Sequence, residues 1–169
     1  MKHYKKKDRS TLWVVVITIL LTVLIIFGIS KAEKNNQTSG NTKPSQLQTA
    51  ENSYDFGSIS MANGKVKKTF TFKNNTSEAI VAKKLYTSCM CTQATLTKND
   101  KTFGPFGMPA HGFIPEINEN IEPGQEAQIE VVFDPAAHGP AGVGPIERQA
   151  TLDTSDGQLV FKFKAQVTP

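Results

Sequence analysis

The sequence predicts an all-β fold, a two-sheet sandwich preceded by one N-terminal transmembrane helix. Three observations carry this expectation. Residues 12–29 form an uncharged apolar run, the hydrophobic period from residue 53 onward is two rather than 3.6, and Asn-Gly, Asp-Gly and Pro-Gly pairs punctuate that pattern.

Residues 1–11 are a basic cytoplasmic tail, with Lys2, Lys5, Lys6, Lys7 and Arg9 against one acid, Asp8. Residues 12–30 read as the anchor. Between 12 and 29 only Thr18 and Thr22 are polar, and at ~1.5 Å per residue the run spans roughly 27 Å, close to the hydrocarbon thickness of a bilayer. It has no polar face of the kind a soluble amphipathic helix carries. Lys31, Glu33 and Lys34 follow it, so the positive-inside bias keeps the N-terminus in the cytoplasm and exports the rest as a single-pass protein of the cell membrane. Ser30-Lys31-Ala32 also fits a small-x-small cleavage site, which makes a long signal peptide the alternative to an anchor. Both place the remaining chain outside. No cysteine follows the run at once, so lipid anchoring is not supported.

The formal charge of +4 belongs to this tether. From residue 53 onward there are eleven Lys or Arg and twelve Asp or Glu. A nucleic-acid surface needs a basic stripe on the folded part, and that class is excluded. Residues 31–52 are polar and poor in aromatic and β-branched residues, the composition of a flexible linker.

The domain is expected over 53–169. Strands are predicted at 54–60, 65–73, 79–87, 92–97, around Ile129–Phe133, at 148–154 and at 159–167. Val66, Phe70 and Phe72 share one face, as do Ile129, Val131 and Phe133; Leu159, Phe161, Phe163, Ala165 and Val167 alternate with Lys162, Lys164 and Gln166. Asn63-Gly64 and Asp156-Gly157 supply residues that tolerate the positive φ of tight hairpins, and Glu122-Pro123-Gly124-Gln125 reads as a turn. About seven short strands without a convincing helix favour an immunoglobulin-like β-sandwich over a small barrel.

Five pieces in order carry a resemblance: Tyr54-Asp55-Phe56-Gly57; a strand with Phe70, Phe72 and Asn74; Ser88-Cys89-Met90-Cys91-Thr92; Ile121-Glu122-Pro123-Gly124; and Val131-Val132-Phe133-Asp134-Pro135. The chain resembles the bacterial domain-of-unknown-function family 1573, whose members are similar to ASH and other immunoglobulin-like domains. Met90 stands where the family has Gly between the cysteines. The resemblance implies a fold and an exported location, and no activity.

Cys89 and Cys91 are the only cysteines. On a strand, i and i+2 share a face, so the sulfurs are expected side by side. A bond between them closes a small ring and stabilises little, which argues against a structural disulfide. Core packing, a metal site and a redox pair stay open. A Pro/Gly-rich region supports the metal option, holding seven of nine prolines and seven of twelve glycines between Gly104 and Pro145. It contains Met108, His111 in Pro-Ala-His-Gly and His138 in Pro-Ala-Ala-His-Gly. Cys89, Cys91, His111, His138, Met90 and Met108 are thus the candidate ligands. Thiolate, imidazole and thioether suit copper first and zinc second. The competing reading makes the histidines turn residues and the methionines gap fillers. Phe103, Phe106 and Phe113 are expected to pin the region onto the sandwich.

Enzyme templates are missing: no Gly-x-Ser-x-Gly, no His-Glu-x-x-His and no phosphate loop occurs, and Asp134 near His138 reads as turn chemistry. Asn36-Gln37-Thr38 and Asn74-Asn75-Thr76 match the glycosylation pattern. Three functions follow: a non-enzymatic binding or structural module presenting its loops to another envelope protein, a copper- or zinc-binding protein, or a thiol redox partner.

Overall fold

The computed structural model describes Trp13, residues 17–20 and residues 43–169. The chain divides into two units, Met1–Asn41 and Thr42–Pro169, and the account below concerns the second. Trp13 and 17–20 are helical and exposed; among the described residues no helix is long and apolar enough to cross a membrane. The rest of the expected tail and anchor, residues 31–42 of the expected linker, and the Asn36 sequon lie outside the described residues.

Residues 43–169 form a two-sheet β-sandwich. Its strands are β1 (Gln48–Thr49), β2 (Ser53–Ser60), β3 (Val66–Lys73), β4 (Ile80–Thr87), β5 (Thr92–Lys98), β6 (Lys101–Phe106), β7 (Glu119–Ile121), β8 (Glu126–Phe133), β9 (Gly144–Thr154) and β10 (Gln158–Thr168). One sheet runs β1-β3-β8-β5-β6 and the other β2-β10-β9-β4-β7. All pairs are antiparallel except β2 with β10.

The period-two pattern sets the core. Phe70 and Phe72 on β3 meet Phe161 on β10 at ring distances of 4.9 and 6.2 Å, and Phe133 on β8 meets Phe163 at 5.6 Å. All five rings are buried. Burying each is worth ~1.5–3 kcal/mol relative to exposure. On the outer face of β10, Lys162, Lys164 and Gln166 stay exposed, as the alternation requires.

Two expected turns behave differently. Asp156-Gly157 closes the β9–β10 hairpin, with Gln158 opposite Asp153. Asn63-Gly64 makes no hairpin, because β2 and β3 belong to different sheets and the chain crosses between them through a short 3-10 turn at Met61–Asn63. Glu122–Gln125 is a tight turn closed by Gln125 N–H to Glu122 C=O, with Gly124 at φ +77°.

The sandwich begins earlier than residue 53. Leu47 is buried, β1 pairs with β3, and Pro44 bridges Gln158, so 43–52 belong to the fold rather than to a stalk. Their polar composition hid this because side chains of the opposite hairpin bind the segment. Asp156 accepts from Ser45 Oγ at 2.8 Å, from Gln46 N–H at 2.8 Å and from Thr154 Oγ1 at 2.6 Å. Gly157 lies under the same segment, where any Cβ would run into the Lys43 and Pro44 backbone.

Strand β6 runs into the Pro/Gly-rich region, where the sequence pattern predicts no strand, and pairs with β5 across a register shift. β9 begins at Gly144 rather than at residue 148. Pro145 is tolerated there because β4 has already ended and only β10 flanks this part of the strand.

Candidate functional site

Ser88, Cys89, Met90 and Cys91 form a turn rather than a strand. It is the corner where the chain leaves β4 in one sheet and enters β5 in the other. Several bonds fix it. Ser88 N–H donates to Gln149 C=O and Gln149 N–H to Ser88 Oγ, both at 3.0 Å. Thr92 N–H donates to Cys89 C=O at 3.1 Å, and the buried Thr87 hydroxyl lies 3.0 Å from that same carbonyl.

Cys89 and Cys91 are joined by a disulfide, and both are almost fully buried, at 8% and 3% exposure. The sequence argues against a structural bridge and leaves core packing, a metal site and a redox pair open; the two sulfurs are bonded to each other. A turn brings their Cα atoms to 5.2 Å, inside the 4.4–6.8 Å usual for bridged pairs. The sulfurs do sit side by side as expected, through turn geometry rather than strand parity.

His138 completes the corner. Its Nε2 lies 3.2 Å from Cys89 Sγ, and Cys91 N–H donates to the same sulfur at 3.3 Å. Cys89, Cys91 and His138 place one ligand atom each within 4.8 Å of the others. The loop that brings His138 here starts at Asp134, whose N–H donates to Cys91 C=O at 2.9 Å. Asp134 Oδ1 accepts Ala136 N–H at 2.9 Å, and its carboxylate faces Lys65, so it builds the loop instead of serving His138. Gly142 comes back under the histidine, where an added Cβ would lie 3.3 Å from His138 Cβ.

The remaining candidates gather elsewhere. Met90, half exposed between two buried cysteines, lines a concavity of about 360 Å³ with Met108 and His111. Phe106, Phe113 and Ile114 form its apolar walls. The expected convergence of both histidines is therefore not found: His138 joins the sulfurs and His111 does not. Phe103 and Phe106 pack on the core, whereas Phe113 stands 88% exposed and pins nothing.

Sequence reasoning missed Arg148. It precedes Gln149, the β9 residue that exchanges two hydrogen bonds with Ser88 at the corner. Its Nη1 donates to the Glu147 carbonyl, while Nε is buried without a partner. The detectable signal was an arginine inside an otherwise apolar alternation with Ile146, Ala150 and Leu152.

Comparison with known proteins agrees with this architecture. Residues 47–105 match the family model described as Protein of unknown function (DUF1573), the family that the sequence resembles. No curated protein matches the chain. A protein of unknown function from Porphyromonas gingivalis W83 superposes with a TM-score of 0.53 at 15% identity, over 78% of this chain and 51% of that one. This chain thus spans about half the length of that protein, and at such identity the likeness is one of fold. The Vibrio cholerae VesB protease (TM-score 0.41, 14% identity, 73% of this chain and 32% of that one) is also similar. So is the Pseudomonas aeruginosa CupB2 chaperone (TM-score 0.39, 11% identity, 71% and 55%). The family description names no activity, and the fold by itself assigns none.

Proposed function

We propose that the chain is a membrane-tethered, extracytoplasmic immunoglobulin-like module that exchanges disulfides with another envelope protein through Cys89 and Cys91. The observation that carries this is the bonded pair at an end corner of the sandwich, with the His138 ring 3.2 Å from one sulfur. The tether rests on the charge pattern around residues 12–29. A pair two residues apart closes almost no chain, so its worth as a structural bridge is small. An oxidising compartment is where such a bond persists.

In the exchange, a thiolate of a partner dithiol attacks one sulfur of the bridge, and the electrons of the S–S bond pass to the other. Cys89 Sγ is the sulfur equipped to hold them, through Cys91 N–H and His138. The partner's second thiol then breaks the mixed disulfide. The partner leaves oxidised, and its two protons end on Cys89 and Cys91. The concavity beside Met90, with Phe113 exposed at its rim, supports a docking role at the same end, in keeping with a loop-presenting module.

The test is native-state exchange. The full chain in detergent is incubated with dithiols of graded potential, the thiols are trapped by alkylation, and the product is weighed. The expected outcome is reversible uptake of two labels while the fold persists, with a slower exchange in His138→Ala. A bridge that opens only on unfolding would sink the reading.

A further inference from the structure

Resting on that redox reading, the geometry points to a second state of the corner: once reduced, Cys89, Cys91 and His138 form a three-ligand site for a cuprous ion, and the disulfide closes it. The three donor atoms already lie within 4.8 Å of one another, with the Cα atoms of the cysteines 5.2 Å apart. Breaking the S–S bond frees the sulfurs to part and take an ion between them. His138 belongs to an exposed loop, and its Nε2 already faces Cys89 Sγ. The histidine is the exposed member of the group, beside two almost fully buried cysteines.

The donor set selects the ion. Two thiolates and one imidazole are soft and borderline ligands, suited to cuprous copper. Zinc also takes two thiolates and one imidazole, with water as its fourth ligand, and ranks second to copper for so soft a set. His111 is outside the group, and Met90 and Met108 face the neighbouring concavity, so none of the three is a ligand here.

The steps balance. A partner dithiol reduces the bridge, giving two thiols and leaving as a disulfide. The cuprous ion then displaces one proton from each thiol and accepts the lone pair of His138 Nε2. A partner disulfide reverses the sequence: the two thiolates are oxidised to the Cys89–Cys91 bond, the partner's sulfurs are reduced and take up two protons, and the ion leaves.

The probe is cuprous ion delivered anaerobically from a chromophoric chelator to the full chain in detergent. Preparing the dithiol form by anaerobic refolding in reductant keeps this readout independent of whether a partner can reduce the native bridge. The reduced chain is expected to take one equivalent and the oxidised chain none. Cys89→Ser and Cys91→Ser should each lose binding at least 100-fold and His138→Ala at least 10-fold, while His111→Ala and Met108→Leu match the parent. Copper X-ray absorption of the unmutated chain should show two sulfur neighbours and one nitrogen, a readout that needs no variant to fold. Failure of the reduced chain to compete with the chelator overturns the site, as does equal uptake by the oxidised chain or a shell without nitrogen. If the bridge exchanges normally and copper still does not bind, the redox reading stands alone. If copper binds the refolded dithiol but the native bridge resists all dithiols, the exchange reading falls instead.

Discussion

Asn74 and Cys89 are both buried, and the sandwich treats them in opposite ways. Asn74 is fully enclosed, and its amide is used up inside. Nδ2 donates to the Glu78 and Ile121 carbonyls, each at 2.7 Å, and Oδ1 accepts Thr76 N–H at 3.0 Å and Thr76 Oγ1 at 2.7 Å. A side chain so engaged is unavailable as a glycosylation acceptor in the folded state, which corrects the Asn74 sequon. Cys89 instead directs its sulfur at an exposed histidine on a loop. The first arrangement serves folding, and the second leaves a sulfur in contact with an exposed side chain. Asn74→Ala should therefore cost about 1–3 kcal/mol in urea unfolding, because the Glu78 and Ile121 carbonyls lose their donor. Trapping of the Cys89–Cys91 thiols should be unchanged in that variant.

At the scale of elements, the period of the hydrophobic residues was enough to find β3, β8 and β10, because alternation reports which face is buried. It does not report sheet membership. Asn63-Gly64 therefore read as a hairpin where the chain changes sheets, and the cysteine turn read as strand. β1 and β6 were illegible for a different reason: one is two residues long and the other contains Gly104 and Pro105, so neither has a pattern to see. The candidate site was half legible, since residue types chose the sulfurs and histidines while only the topology could decide which histidine arrives. The anchoring of β1 carries a pH prediction. Burial alone would raise the Asp156 carboxyl, but the bonds from Thr154, Gln46 and Ser45 outweigh it and hold the group below its ordinary value. A carboxylate with a folded pKa below the unfolded one stabilises fully above the unfolded pKa, and that contribution fades as pH falls through the folded pKa. Asp156→Asn should lose about 1–2 kcal/mol near neutrality. The gap between parent and variant should close in acid, once the pH has fallen through the lowered folded pKa. Unfolding curves at both pH values check this, and a gap that persists in acid would mean the segment is held by packing instead.

For the whole molecule, the question is whether the corner can change state without the sandwich noticing. A bridge between residues two apart closes so short a loop that the chain-entropy gain from it is under ~2 kcal/mol. The corner is meanwhile held by bonds that do not involve sulfur. Ser88 and Gln149 exchange two hydrogen bonds, Asp134 N–H holds Cys91 C=O, and Thr87 sits under the turn. The phenylalanine layer between the sheets does not depend on the bridge either. Reduction should therefore lower the Tm of the domain by less than about 8 °C, taking ~4 °C per kcal/mol for this size. Calorimetry of the full chain with and without reductant measures this directly. A small shift means the free energy of the fold is nearly the same in both states, which a redox pair needs in order to cycle. A drop much larger than this would make the bridge a structural staple, and a staple that unfolds its domain when opened can serve neither exchange nor a metal.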